Sequence, residues 1–243
     1  MDFMTNNTKT SAPSKRWRTA QEYERNWWSD KLELDLSYFE DFADMLRDDI
    51  KGILSLDENS RILEIGSGPV GIATFLNPSQ RWCLDPLNDF FGENPNIRAI
   101  RKSEVNYISD RGEVLPFPDD YFQLVIMDNV LDHCDEPNTV LNEAIRVLGV
   151  SGLIYLKQHI TNPFGWMVRR LAETLQVDKG HPHTYTYKKL LRLVESKNLE
   201  IIHRKHSGFW KDWFGSLTSM RIKGIFQAVT FSSKQSLLLI LRR

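Results

Sequence analysis

The sequence predicts an α/β protein built on a mostly parallel sheet that is covered on both faces. Apolar runs fit for buried strands, such as residues 61–65 and 123–128, alternate along the chain with helical or loop segments. Strands separated by such crossovers pair in parallel. A glycine-rich turn follows the first of these runs, and 243 residues suffice for one large domain with additions. We therefore expect a single domain over residues 17–243.

The chain begins with a polar segment that is followed by a helical one. Residues 1–16 are rich in Thr, Asn, Ser and Pro and contain no apolar leader run, which predicts a disordered tail. Apolar residues then recur at helical spacing, which predicts an N-terminal cap of two amphipathic helices over residues 17–56. Within it, Trp27 and Trp28 are interpreted as packing anchors, and a role in lining a pocket stays open.

The glycine turn predicts the floor of a nucleotide-type cofactor site. Gly66, Gly68 and Gly71 have the spacing G-x-G-x-x-G directly after the apolar residues 61–65. Residues without a Cβ adopt positive φ and let a ligand approach the backbone, and the helix that follows is expected to offer free N–H groups to an anionic end of that ligand. The spacing alone is a weak signal. Glu64, two residues before the first glycine, strengthens it because its carboxylate can reach the pocket.

A second carboxylate follows at the distance expected for a ribose contact. Asp85 ends a short apolar strand at residues 81–85 and lies about 20 residues after Gly66. At this spacing an acidic residue accepts hydrogen bonds from the two ribose hydroxyls. The alternative is that the Asp-Pro pair only begins a turn.

The rest of the chain supplies further strands and helices. Strands are predicted at residues 105–110, 123–128, 153–157, 199–203 and 236–241, and helices at 137–148 and 187–197. Two aromatic-rich segments with nearby cations, 158–186 and 207–235, are expected to be insertions on the acceptor side. Aromatics with cations suit a sugar ring, a phosphate-bearing acceptor or a membrane surface, although packing on the sheet explains most of these rings equally well.

Composition and charge narrow the class of partner. The formal net charge is −1, which argues against nucleic-acid binding through bulk charge. Cys83 and Cys134 are too far apart in sequence for a zinc motif or a disulfide framework, so we expect no metal site and a reducing compartment. No apolar run approaches ~18 residues. We expect a cytoplasmic protein with a small-molecule partner and no transmembrane segment. Peripheral membrane contact stays possible, and the oligomeric state is left open.

Taken together, five motifs resemble a class I S-adenosylmethionine-dependent methyltransferase of the small-molecule methyltransferase-domain group. They occur in the family's order and span roughly residues 60 to 157. One such motif would be weak, but five at compatible spacings are specific. The motifs are residues 62–71, 84–86, 115–122, 129–133 and 143–152.

The resemblance implies a Rossmann-like sheet of seven strands with an antiparallel last strand and S-adenosyl-L-methionine as cofactor. It also implies roles by position. Glu64 would lie near the methionine ammonium, the turn from Gly66 through Ser67 to Gly71 would pass under the methionine and ribose, and Asp85 would hold the ribose hydroxyls.

The resemblance is less definite on the adenine side and assigns the sulfonium end to the fourth strand. Arg111 stands where family members often have an acidic residue, so Asp110, Glu113, or the backbone of Gly112 and Glu113 are the adenine candidates. The residues expected to face the sulfonium and the acceptor are Asp128 and Asn129.

Histidines are the candidates for proton transfer. Methyl transfer is an in-line displacement that depends mainly on alignment, but a hydroxyl acceptor must also lose a proton. The catalytic candidates are His133, His181 and His183. For His133 a role in bracing the cofactor region is favoured over general base. His181 and His183 are candidates for base, substrate contact or an N-capping loop, and a metal site with Asp178 is disfavoured because a third close ligand is missing.

The sequence thus predicts a methyltransferase that acts on oxygen of a small molecule or glycan precursor. The alternatives are a protein or nucleic-acid methyltransferase and a cofactor-binding protein of the same fold without transfer activity. A nicotinamide dinucleotide enzyme is disfavoured, because nothing beyond the glycine spacing supports it.

Overall fold

The computed structural model describes residues 12–29, 34–163, 165–167, 180, 182–207 and 235–243. The first eleven residues of the predicted tail, His181, Asp178 and all but the two end residues of the predicted insertion at 207–235 lie outside these ranges. The following description concerns the described residues.

A seven-stranded mixed sheet forms the centre of the described chain. The strand order is β3-β2-β1-β4-β5-β7-β6, in which β7 runs antiparallel to β5 and β6 and the other pairs are parallel. This confirms the predicted sheet and its antiparallel last strand. The strands are β1 Arg61–Ile65, β2 Gln80–Leu84, β3 Val105–Ile108, β4 Phe122–Asp128, β5 Leu148–Ile160, β6 Glu200–Ser207 and β7 Gln235–Arg242.

Helices precede the sheet and connect its strands. The two predicted N-terminal helices are present, although α1 begins at Lys15, two residues inside the segment predicted as a tail. None of the described helices is long and apolar enough to cross a membrane. The helices are α1 Lys15–Ser29, α2 Ser37–Ile50, α3 Asn88–Glu93, α4 Pro95–Ile100, α5 Pro137–Val147 and α6 Tyr187–Glu195.

Two short helices were not predicted from the sequence. Helices α3 and α4 have six residues each, too few for an amphipathic repeat to stand out. A capping signal was nevertheless present, because the Asn94 side chain accepts hydrogen bonds from the backbone N–H groups of Asn96 and Ile97, and Pro95 occupies the first helical position.

The segment after the glycine turn differs from the α-helix that was expected there. It is a single 3-10 turn, Ile72–Phe75, which begins at Gly71 with φ of +82°. Leu76 returns to extended backbone immediately before the Asn77-Pro78 pair, so the chain has no room for a second turn.

Two apolar layers cover the sheet. On one face, α5 and α6 pack on residues such as Leu63, Val125 and Leu156. On the other face, α2 packs on residues such as Leu124 and Tyr155. Strand β5 is longer than predicted at both ends, because it pairs with β4 from Leu148 and continues beside β7 as far as residue 160. The buried sheet thereby holds its strand ends, and the loops that follow them, in fixed positions.

Arg146 of α5 fixes the loop before β4. Its guanidinium donates hydrogen bonds to the carbonyl oxygens of Leu115 (3.0 Å) and Phe117 (2.7 Å) and pairs with Glu143 and Asp119. The 115–117 segment has no regular structure of its own, so this one side chain supplies partners for its backbone.

Candidate functional site

The ends of three parallel strands open into one cavity. A volume of about 530 Å³ lies where β1, β2 and β4 finish, the edge at which open α/β sheets bind ligands. Residues from α1 and from the beginning of α2 form its roof, among them Trp17, Gln21, Glu24, Trp28, Tyr38 and Phe39. The predicted glycine turn and the predicted carboxylates form its floor and walls.

The glycine turn has the conformation that its spacing predicts. Gly66, Gly68 and Gly71 have φ of +69°, +61° and +82°, which favours glycine at each position. A Cβ on Gly66 would lie 2.7 Å from a methyl group of Val130, and one on Gly71 would lie 2.5 Å from the Cys83 sulfur. A Cβ on Gly68 would meet no atom within 4 Å. The Gly68 backbone therefore borders open cavity space.

Glu64 lines the cavity from a buried position beside this turn. It is only 2% exposed, and its Oε2 accepts a hydrogen bond from the backbone N–H of Ala73 at 2.7 Å. That N–H, at the start of the 3-10 helix, is therefore not free for a ligand, contrary to the expectation from the sequence. Burial raises the pKa of Glu64 to about 8, and the charges of Asp128 and Asp85 act in the same direction.

Asp85 is held by the two loops that flank it. One carboxylate oxygen accepts from the N–H of Gly68 at 2.9 Å and the other from the N–H of Leu87 at 2.8 Å. Burial raises the pKa of Asp85 to about 6. A carboxylate has about four lone-pair sites, so about two stay available to a ligand in the cavity.

On the predicted adenine side, Gly112 and Glu113 line the cavity, whereas Asp110 does not. The Glu113 carboxylate accepts from the N–H groups of Asp135 (2.8 Å) and Glu136 (3.1 Å), at the start of α5. Asp110 accepts from the N–H of the next residue at 2.7 Å. The position of Gly112 requires glycine, because a Cβ there would lie 2.9 Å from an Ile65 methyl group. Among the sequence candidates, the geometry favours Gly112 and Glu113.

Asp128 and Asn129 stand together at the end of β4 and both line the cavity. Tyr38 of α2 donates its hydroxyl hydrogen bond to Asp128 Oδ2, and Asn129 donates to Asp128 Oδ1 at 2.9 Å. Lys157 Nζ lies 3.7 Å from Asp128 Oδ1. Burial raises the pKa of Asp128, while the charge of Lys157 opposes the rise. The strand end thus presents an oriented carboxylate.

His133 is a member of an ion pair that joins α1 to the loop after β4. Its Nδ1 lies 3.1 Å from Glu24 Oε2 and its Nε2 lies 3.8 Å from Asp132 Oδ2. Burial lowers the pKa of His133, but the hydrogen bond to Glu24 and the charges of Asp132 and Glu24 outweigh it and raise the pKa to about 9. A histidine that is protonated at neutral pH does not accept a proton there, so the geometry favours the bracing role.

His183 does not line the cavity. Its Nε2 lies 3.0 Å from the carbonyl oxygen of Asp135, and its backbone N–H donates to the Asp132 carbonyl oxygen at 3.3 Å. The described structure therefore does not bring His183 next to Asp128. A catalytic role for His181 stays a prediction, because that residue is outside the described ranges.

Aromatic side chains of α1 and α2 are the part of the site that sequence analysis largely missed. Trp28 lines the cavity and packs edge-to-face on Phe91 at 5.6 Å, whereas Trp27 is 46% exposed. Trp28 thus serves as both packing anchor and cavity wall. Trp17 and Tyr38 also line the cavity. A helical repeat shows which residues face inward, but not that this inward face covers a cavity.

Comparison with known sequences identifies the domain. The profile of the family described as "Methyltransferase domain" matches residues 63–156, the stretch from β1 to β5 that contains the cavity floor. Human thiol S-methyltransferase TMT1B is 28% identical over 125 residues, which are 48% of this chain and 49% of that protein. The chain therefore spans about half the length of this curated relative.

Solved structures share the fold at low identity. The geranyl diphosphate C-methyltransferase from Streptomyces coelicolor A3(2), solved with S-adenosyl-L-homocysteine, has a TM-score of 0.64 at 12% identity and covers 96% of this chain and 100% of its own. The [4+2]-cyclase SpnF has a TM-score of 0.58 at 16% identity and covers 82% of this chain and 81% of its own. The family match shows that residues 63–156 carry a methyltransferase domain, and the strand order of the sheet is that of the class I S-adenosylmethionine-dependent methyltransferase fold.

Proposed function

We propose that the protein transfers a methyl group from S-adenosyl-L-methionine to a small molecule. The observation that carries this proposal is the bare backbone of Gly68 beside the oriented carboxylate of Asp85, at the edge of one cavity. These residues fit the cofactor, because the turn leaves open space where a Cβ would otherwise project and Asp85 retains acceptor sites for two hydroxyl groups.

Each predicted cofactor residue has a role in the proposal. Asp85 would hold the ribose, and Gly112 and Glu113 would border the adenine. Glu64 would contact the methionine ammonium. Burial raises the pKa of Glu64 to about 8, and the positive charge of that ammonium would lower this pKa and so favour the ionised carboxylate. The bound cofactor supplies an electrophilic methyl group on a sulfonium.

The residues at the end of β4 would orient the acceptor. Asp128 and Asn129 are fixed by hydrogen bonds to each other and to Tyr38 and the His159 backbone, so their polar atoms are preorganised. Because His133 is held as a cation, Asp128 is the better placed group to accept a proton from a hydroxyl. Rings of α1 above the cavity would exclude water during transfer.

The finer proposal is transfer to oxygen of a small molecule or glycan precursor. The named activities of the relatives differ, since one is a thiol S-methyltransferase and another a C-methyltransferase, so the family does not fix the acceptor atom. An oriented carboxylate in the position of Asp128 supports a hydroxyl acceptor, because such an acceptor must lose a proton. The segments 158–186 and 207–235 would complete the acceptor side.

A second candidate function is cofactor binding without methyl transfer. The specific observation in its favour is that a [4+2]-cyclase has the same fold. Transfer of the radiolabelled methyl group of S-adenosyl-L-methionine to a panel of small hydroxyl, amine and thiol compounds separates the two functions. Label in any product supports the first, while cofactor binding with no labelled product supports the second.

Cofactor binding itself is tested with two matched glycine variants. Gly68→Ala places a methyl group in the cavity, whereas Gly52→Ala puts the same methyl group on a positive-φ glycine with no atom within 4 Å in the loop after α2. Both substitutions carry a similar backbone strain. Calorimetry should show that the wild type and Gly52→Ala bind S-adenosyl-L-homocysteine and that Gly68→Ala binds it far more weakly. Failure of the wild type to bind would refute the proposed function.

A further inference from the structure

We propose that the acceptor carries a positively charged amine, which binds against Asp128 in the outer part of the cavity. This inference rests on the proposed function and narrows its substrate class. It follows from the shape, the hydrogen-bonding capacity and the charge of that part of the cavity. An acceptor with both an amine and a hydroxyl group, such as an amino alcohol or an amino sugar, would satisfy both proposals.

The cavity has an outer part beyond the glycine turn. Its walls come from the chain just before and at the start of α2 and, facing them, from the end of β4. Tyr38 bridges the two walls through its hydrogen bond to Asp128, a contact between residues 90 positions apart in sequence. The residues that line this part are Leu34, Asp35, Tyr38, Phe39, Asp128 and Asn129.

The polar groups of this outer part are mainly acceptors. Asp128 receives one hydrogen bond on each oxygen, from Tyr38 and from Asn129, so about two of its lone-pair sites are free. The Tyr38 hydroxyl hydrogen and one of the two Asn129 amide hydrogens are already directed at Asp128. The remaining acceptor sites of Asp128 therefore suit a ligand that donates hydrogen bonds, as an ammonium group does.

The charge of the cavity lining also favours a cation. Among the residues that the structure describes, six carboxyl groups and one histidine line the cavity, and no lysine or arginine does. Two of the six add little net charge, because the pKa of Glu64 is raised to about 8 and Glu24 is paired with His133. Two described cations next to the lining offset part of this charge: Lys157 Nζ lies 3.7 Å from Asp128 Oδ1, and Arg101 acts on Asp85. The Asp35 carboxylate has a lowered pKa because it accepts hydrogen bonds from the Ser37 side chain and backbone, so it is ionised at neutral pH.

Aromatic rings beside these carboxylates can hold the apolar part of such an acceptor. The Tyr38 and Phe39 rings meet edge-to-face at 5.5 Å and both line the cavity. Ring faces attract ammonium groups, and Lys157 Nζ already lies 4.2 Å from the Phe42 ring centre and 5.8 Å from the Tyr38 ring centre. An anionic acceptor, in contrast, would lose hydration and meet carboxylates, which disfavours phosphate- or carboxylate-bearing acceptors.

The test uses three probes with the same ring and different charge. Benzylammonium, benzyl alcohol and benzoate are titrated by calorimetry at neutral pH into protein saturated with S-adenosyl-L-homocysteine. Benzylammonium should bind about tenfold more tightly than benzyl alcohol, the ratio given by one hydrogen bond between charged groups, and benzoate should bind least. Equal affinities, tighter binding of benzoate, or no binding of benzylammonium at millimolar concentration would overturn the inference.

Variants locate the preference within the cavity. Asp128→Asn and, independently, Asp35→Asn should weaken benzylammonium binding while benzyl alcohol binding changes little. Asp41→Asn is the matched control, because it removes the same charge from an exposed position on α2 outside the cavity. If Asp41→Asn lowers the preference as much as the cavity variants do, the effect is one of net charge and the inference fails.

The proposed function and this inference fail in distinguishable ways. Absence of S-adenosyl-L-homocysteine binding refutes the proposed function, and the probes are then titrated into the protein alone, where the same charge preference is still expected. Binding of S-adenosyl-L-homocysteine without a preference for benzylammonium refutes only the inference about the acceptor.

Discussion

Replacement of Asp85 by alanine should weaken cofactor binding without unfolding the protein. In the structure the Asp85 carboxylate is held by the N–H groups of Gly68 and Leu87, and its other lone pairs border the cavity. The proposal makes these lone pairs the acceptors for two ribose hydroxyls. Removal of the Asp85 carboxylate takes away a charge-assisted hydrogen bond to the ribose that no other residue of the turn supplies.

The expected magnitude follows from the number of these contacts. One hydrogen bond to a charged group is worth about 1.5–3 kcal/mol, and the loss of one such bond corresponds to roughly 10- to 150-fold in the dissociation constant. When the carboxylate is absent, the second ribose hydroxyl can donate its hydrogen bond to water, so we count the loss of only one hydrogen bond. The free energy of unfolding should fall by about 1–3 kcal/mol, because two backbone N–H groups lose their acceptor.

Calorimetric titration with S-adenosyl-L-homocysteine measures this change, and Asp89→Ala is its control. Asp89 is an exposed acidic residue of α3 that does not line the cavity, so its removal changes net charge equally.

Cofactor affinity should also depend on pH. Since the Asp85 pKa is raised to about 6 and the ionised form is the acceptor, affinity should rise from about pH 5 to about pH 7 in the wild type. Unchanged affinity in Asp85→Ala would refute the ribose contact.

Three further predictions concern the turn, the cap and the loop. Gly71→Ala should lower the free energy of unfolding by about 2 kcal/mol or more, measured by urea denaturation, because its Cβ would lie 2.5 Å from the Cys83 sulfur. The raised pKa of His133 adds stability that is complete below pH 6.5 and is lost as the pH rises through about 9. The melting temperature of the wild type should therefore fall over that interval, and the melting temperature of Glu24→Gln should fall much less. Arg146→Met should cost about 2–4 kcal/mol in the same denaturation assay, because two carbonyl groups and two carboxylates lose their donor; a loss below about 0.5 kcal/mol would contradict this account.

The floor of the site was predictable because its determinants are close together in sequence. The glycines at 66, 68 and 71 have positive φ because of the turn they form, and their G-x-G-x-x-G spacing predicts this turn. The position of Asp85 follows from one strand and one crossover, so its arrival beside Gly68 was expected as well. The number of strands and the antiparallel last strand were predicted only through the family resemblance, and the strand order was not predicted, since strand spacing alone does not give it.

The roof of the site was not predictable in the same way, because long-range contacts place it. Tyr38 meets Asp128 across 90 residues, and the side chain of Ser14 meets Asp135 across 121. A helical repeat in α1 or α2 marks an inward face but does not indicate which loop that face will meet. A long-range contact also decides whether His133 can act as a base. The carboxylate of Glu24, from α1, contributes to raising the pKa of His133.

This division between local and long-range determinants has a consequence for specificity. The cofactor floor is constrained by the positive φ of Gly66 and Gly71 and by buried side chains, because a Cβ on Gly66, Gly71 or Gly112 would lie within 3 Å of a side-chain atom. The proposed acceptor wall combines the start of α2 with the end of β4, and its Tyr38 side chain is 47% exposed and belongs neither to the turn nor to the sheet. We therefore expect substitutions around Tyr38 to change the acceptor while the methyl donor stays the same.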